Sequence, residues 1–147
     1  MATLTYAVFQ EGLGWTPDAK NTEVAGSGML NDPRPISAIR VTLTGNTSGI
    51  GLQYLVHFPR LGWEPAGSSG SISGREPGVQ DVNSQRRFRM DKLSINLIDA
   101  GHRAQLTCDV FAIGIGWLGG VVTKSNIEIG LANTPIQAVR FVYTEFF

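Results

Sequence analysis

A ten-residue pattern occurs three times in this chain and leaves few folds open to it. It reads Tyr6-Ala7-Val8-Phe9-Gln10-Glu11-Gly12-Leu13-Gly14-Trp15, then Tyr54-Leu55-Val56-His57-Phe58-Pro59-Arg60-Leu61-Gly62-Trp63, then Cys108-Asp109-Val110-Phe111-Ala112-Ile113-Gly114-Ile115-Gly116-Trp117. Each copy sets a valine seven residues before a tryptophan, a glycine directly before that tryptophan, and an aliphatic residue before the glycine. Trp15, Trp63 and Trp117 stand 48 and then 54 residues apart. A repeat of that period is one supersecondary unit, too small to bury its own apolar face, so its copies must share a core. We divide residues 1–147 into repeats at approximately 4–48, 49–101 and 102–147, all within a single domain.

A second pattern closes each copy. Ile39, Val41 and Leu43 alternate with polar residues in 35–43, and Leu93, Ile95 and Leu97 do so in 89–97. Val139, Phe141 and Tyr143 do so in 135–143, where Val142 is the one apolar interruption. Period-two alternation marks half-buried strands. The opening segments alternate too: Tyr6 with Val8, Tyr54 with Val56 and Phe58, Cys108 with Val110. Between opening and closing strands lie glycine- and serine-rich middles at 23–28, at 70–74 with an insertion to about 83, and at 121–130. That allows about four short strands per copy. The joints at 44–49 and 99–102 are turn-rich. Only residues 84–93 also suit a helix, and their register with the other closing strands favours a strand. The expected fold is all-β with pseudo-threefold symmetry, a β-prism of three small antiparallel sheets or, alternatively, a β-trefoil.

Charge and composition exclude some partners. Twelve basic residues balance twelve acidic ones, so no field draws the chain to nucleic acid, and no nucleic-acid partner is expected. No apolar run approaches the ~18 residues of a spanning helix, so no membrane insertion is expected. No signal peptide is visible, which leaves the compartment open between cytoplasmic and, for a mature fragment, secreted or cell-surface. A single cysteine precludes an intrachain disulfide.

The anchors resemble the clostridial hydrophobic-Trp repeat, written ChW. That repeat runs from a Tyr-x-x-His-Val-type strand to a Gly-Trp, then a small-residue Ala-Gly-Thr/Ser-Gly segment, then an Ile-x-Ala-Ile-x-Ile-x-Leu strand. The first copy matches through Tyr6, Gly14-Trp15, Ala25-Gly26-Ser27-Gly28 and Ile36 to Leu43. The second matches through Tyr54, His57 and Gly62-Trp63, with Ser71-Ile72-Ser73-Gly74 as a poorer middle. The third keeps Gly116-Trp117 and Ile136 to Phe141, but Cys108 replaces the tyrosine. The resemblance implies cell-surface or secreted proteins that bind carbohydrate or other surface ligands without catalysis. The prism is preferred to the trefoil because the Gln-x-Trp that usually ends a trefoil repeat is absent: the Trp here comes early, right after a glycine.

The tryptophans support two readings. In one, the C–H face of a pyranose stacks on each indole and nearby polar groups fix its hydroxyls. The candidate carbohydrate-binding residues are then Trp15, Thr16, Asp18, Trp63, Glu64 and Trp117, and the third copy is poorest in polar neighbours. In the other, each indole plugs its sheet against the core, the more frequent fate of a Trp present in every repeat. His57 falls where Phe9 and Phe111 stand in the other copies, which suggests packing. Cys108 sits on the inward face beside Val110 and reads as a small hydrophobe, so pairing with His57 or His102 for catalysis is not expected. Asp81-Val82-Asn83 is only a fragment of a calcium loop. No metal, cofactor or paired catalytic carboxylate is expected. Arg86, Arg87, Arg89 and Lys92 read as a charged, protected edge strand. Asn46-Thr47-Ser48 is a glycosylation sequon only for a chain passing through a eukaryotic secretory route.

These readings point first to a non-enzymatic lectin, made multivalent by its repeats and partnered by glycans or glycoconjugates. The alternatives are a cell-surface adhesion or protein-interaction module, and a structural or assembly subunit. Phe146 and Phe147 are expected to pack against another copy or another subunit, which makes a homo-oligomer an expectation.

Overall fold

The computed structural model describes residues 2–27, 31, 33–45, 50–59, 62–70, 89–99, 104–122 and 127–146. Among them every regular element is a strand. The strands form three antiparallel four-stranded sheets and no closed barrel. The fold is therefore all-β and prism-like, as expected, and not a trefoil.

Each sheet is built on a long pair, the opening strand of a copy against its own closing strand. The pairs are β1 (Ala2–Gln10) with β5 (Ile36–Gly45), β6 (Ile50–Phe58) with β8 (Lys92–Asp99), and β9 (Ala104–Ala112) with β12 (Ile136–Glu145). A hairpin carries each opening strand back through the Gly-Trp pair. The returning strands are β2 (Gly14–Trp15) and β3 (Ala19–Lys20), then β7 (Gly62–Gly70), then β10 (Gly116–Val122). The first hairpin turns through Leu13 N donating to Gln10 O, the third through Ile115 N to Ala112 O. Both turns need glycine at the penultimate position, where φ is +84° at Gly12 and +79° at Gly114, as in a type II turn.

In two of the three sheets the fourth strand is not the one that chain order suggests. The middle of copy one, β4 (Val24–Gly26), leaves its own sheet and pairs with β12 of copy three. The middle of copy three, β11 (Ile127–Gly130), pairs with β8 of copy two. Both crossings end on a glycine that closes against a neighbouring backbone. A Cβ on Gly26 would lie 2.3 Å from Gln137 O, and one on Gly130 2.2 Å from Asp91 O. The matching middle of copy two, with the calcium-loop fragment, lies outside the described residues. So do Arg86, Arg87 and the sequon. The reading of a charged edge strand is corrected by β8, which starts at Lys92 and runs between β11 and β6 in the sheet interior.

One apolar cluster draws on all three sheets, with Tyr6, Val8, Ile39 and Val41 meeting Tyr54, Val56, Ile95, Val110, Val139 and Phe141. The inward faces are those that alternation assigned. At one end of the core the three closing strands begin side by side. Met90 N donates to Ile36 O at 2.9 Å and Ile136 N donates to Met90 O at 2.8 Å. These equivalent residues, all fully buried, mark the pseudo-threefold axis. The tyrosine column ties copies together. The Tyr6 hydroxyl lies among the carbonyls of Glu23, Lys20 and, in copy three, Phe141. The Tyr54 oxygen accepts from Val41 N of copy one at 3.3 Å. Cys108, in the third place of the column, is buried and too short to reach across.

Candidate functional site

The tryptophans do not enter the core. They lie on the outer face of each sheet, opposite the inward residues of the opening strand. Trp63 and Trp117 are 38% and 36% exposed, and Trp15 is half-buried. This corrects the core-packing reading. The cause is register. Trp15 pairs with Phe9, Trp63 with His57 and Trp117 with Phe111, and directly paired residues share a face. Each indole meets its partner ring edge-on, at centroid distances of 5.6, 5.0 and 5.3 Å. His57 therefore holds the place of Phe9 and Phe111, as read from the sequence.

A second layer separates the copies. In copies one and three a guanidinium lies over the indole, Arg40 over Trp15 and Arg140 over Trp117, each 4.7 Å from the ring centroid. Cross-strand pairs place them: Ala7 with Arg40, and Asp109 with Arg140. Asp109 accepts from Arg140 at 2.9 Å. It has room because Gly119 faces it; a Cβ there would lie 1.8 Å from Asp109 Oδ1. In copy one the small Ala7 offers no such carboxylate, and Arg40 reaches Asp18 at 3.7 Å. In copy two the corresponding pair is Leu55 with Ser94. Among the described residues, no cation covers Trp63.

Copy two has a different support. His57 Nδ1 lies 2.6 Å from Asp91 Oδ1, and the other carboxylate oxygen accepts from Asn133 N at 2.9 Å. The Asp91 side chain is 1% exposed and His57 20%. A carboxylate buried at this depth needs such partners. The contact with Asp91 engages Nδ1 and holds the imidazole at a set angle beside the indole, which leaves Nε2 on the far side of the ring as a second polar atom.

The residues after each tryptophan diverge, and a proline is the reason. Pro17 breaks the returning strand of copy one into β2 and β3. Thr16 N donates to Val8 O, and Thr16 Oγ1 accepts from Val8 N at 3.1 Å, completing the ladder that Pro17 interrupts. In copy two the register shifts between Tyr54 and Val56, opposite Pro65-Ala66. Copy three has Gly119 in place of proline and stays regular, with Leu118 packed on the core. The position after each Trp thus belongs to the opposite face from the indole. Asp18 returns to the Trp15 side through Arg40, whereas Thr16 does not. Glu64 is described only through its backbone pairing with Val56. Thr16 and Asp18 also line a cavity of about 310 Å³ with Pro17, Glu23 and Val24, at the small end of ligand pockets. The crossing of β4 makes this cavity, so Glu23 and Val24 could not be placed there from the sequence. Arg40 and Arg140 were also missed, although both stand at the same place in the repeat.

No constellation in the described residues offers a reactive nucleophile or a metal seat. Burial, and then the charge of Asp109, push the Cys108 thiol well above its ordinary range, which keeps it protonated. Among the described residues, no group of three or more His, Cys, Asp or Glu side chains could hold a metal ion, and no helix is long and apolar enough to cross a membrane. Comparisons with protein-family models, with curated proteins and with solved structures find no match to this chain.

Proposed function

We propose that this protein is a non-enzymatic lectin whose Gly-Trp hairpins contact the apolar faces of sugar rings. The observation that carries the reading is the outward, part-exposed indole at the same place in each copy, most open at Trp63. Its neighbour His57, fixed by Asp91, supplies a ring nitrogen that can hydrogen-bond a sugar hydroxyl. An apolar platform flanked by a few fixed polar groups is how small polar ligands are held. The ChW-like anchors point the same way.

Copies one and three offer narrower platforms, since a guanidinium takes one face of each indole. Their contribution is avidity. Weak sites on one rigid body strengthen attachment to a glycan-bearing surface without any new contact. The protein-interaction alternative draws support from Phe146, 53% exposed at the opposite end of β12; Phe147, with which it was read as a pair, lies outside the described residues. A homo-oligomer through that end belongs to the same proposal.

A glycan array probed with folded protein tests the lectin reading. The expected result is binding to a subset of glycans, lost in Trp63→Ala. No binding to any glycan, with folding confirmed by circular dichroism, would sink it.

A further inference from the structure

In copies one and three the aliphatic residue before the Gly-Trp lies outside the apolar core. Leu13 and Ile115 are 59% and 57% exposed. Both stand at hairpin tips between glycines of positive φ, +84° and +91° around Leu13, +79° and +110° around Ile115. The turn needs its glycines and asks nothing apolar of the residue between them; polar residues are the usual occupants of such tips. Lone exposed aliphatics are ordinary, but an equivalent one in each described hairpin is a pattern.

The tips share one end of the molecule. The opening strands finish where the closing strands begin, and those beginnings are joined at the axis by the Met90–Ile36 and Ile136–Met90 hydrogen bonds. Leu131, 42% exposed, follows β11 at the same end, where Gly130 pairs with Lys92. The exposed acid nearest the first tip is neutralised: Arg89 grips Glu11 through two hydrogen bonds of 2.8 and 2.9 Å. Two residues beyond each tip the indoles ring this end.

We propose that the hairpin-tip end docks on a lipid surface. Leu13, Ile115 and Leu131 enter the headgroup layer, and the indoles lie at the interface depth that tryptophan favours. This is a peripheral contact, not insertion of a spanning segment. Separate convex points spread about an axis touch a flat, yielding surface together. They suit a second copy poorly, because a few side chains bury on the order of a few hundred Å² per partner, short of the ~800 Å² of a stable protein interface. Partition into a bilayer has no such threshold and grows with apolar area. With zero formal charge, attachment does not require anionic lipid.

Cosedimentation with pure phosphatidylcholine vesicles tests this. Those vesicles carry no glycan, so the outcome is separate from that of the glycan array. The full chain is expected to sediment with them. Leu13→Ser and Ile115→Ser should each weaken partition about tenfold, with the melting temperature little changed because both tips lie outside the core. No cosedimentation of the unmodified chain overturns the proposal, as does equal binding by the double variant. A concentration-dependent dimer that the double variant abolishes, without vesicle binding, assigns the tips to a second copy instead.

Discussion

Copies one and three build the same outer stack of phenylalanine, tryptophan and arginine; the middle copy replaces two of its three layers. Histidine stands for phenylalanine and Ser94 for arginine, and a buried Asp91 stands behind the histidine. The difference shows how a repeated scaffold can keep one shape and vary its chemistry. The inward residues must interlock with two other copies and change little. The outer pair across the two long strands lies outside the shared apolar core, so Ala7/Arg40, Leu55/Ser94 and Asp109/Arg140 are free to diverge. Two copies set a cation over their indole and, among the described residues, the middle one does not.

The largest test of that contrast is at the carboxylates. Asp91→Ala removes a buried carboxylate and strands the part-buried donors His57 Nδ1 and Asn133 N, and should cost about 2 kcal/mol. Asp109→Ala removes an ion pair whose side chains are 37% and 29% exposed and should cost less than about 1 kcal/mol. Urea denaturation of both variants measures the gap, and equal losses would erase the distinction.

The indoles should separate in the opposite sense. Trp15 is the more buried and carries Arg40, so Trp15→Ala is expected to lose about 2 kcal/mol of stability. Trp63→Ala should lose under about 1 kcal/mol while removing most glycan affinity. Melting curves beside binding isotherms read both effects.

Alkaline pH acts on the column that joins the copies. Burial raises the Cys108 thiol and, as the foremost cause, the Tyr6 phenol. Both hold their protons more tightly when folded than when unfolded. Their contribution is therefore complete below the ordinary thiol and phenol values and is lost as pH rises through them toward the raised folded values. The melting temperature should be level near neutrality and fall above about pH 9. Cys108→Ala should delay the onset, and an unchanged onset would exclude the thiol. The smallest effect belongs to Arg140→Gln, which removes about 0.5–1 kcal/mol of cation–π attraction and uncovers Trp117, so weak sugar binding at copy three should rise a few-fold in titrations.

Much of the scaffold was legible in the chain. Val8, Val56 and Val110, with Ile39, Leu93 and Val139, alternate strictly because each faces the core, and alternation is written in sequence. The crossing of β4 and β11 was not legible. Their pairing partners lie in other copies, and a three-residue strand carries no address for its sheet. The site was half legible. Recurrence marked the three tryptophans but could not say which face they occupy; that follows from cross-strand register with Phe9, His57 and Phe111. The Asp91–His57 pair was hidden for the same reason: 34 residues separate partners that only the β6–β8 register brings together.

The central claim, an arginine over the indole in the outer copies and, among the described residues, none over that of the middle copy, has a direct measurement. Three tryptophans give three indole N–H resonances in a nitrogen-15-labelled sample. Titrated with a glycan selected on the array, the Trp63 resonance should shift first and furthest, with Trp15 and Trp117 following weakly. Binding that moves none of the three, or that moves Trp15 and Trp117 while leaving Trp63 still, would contradict the account.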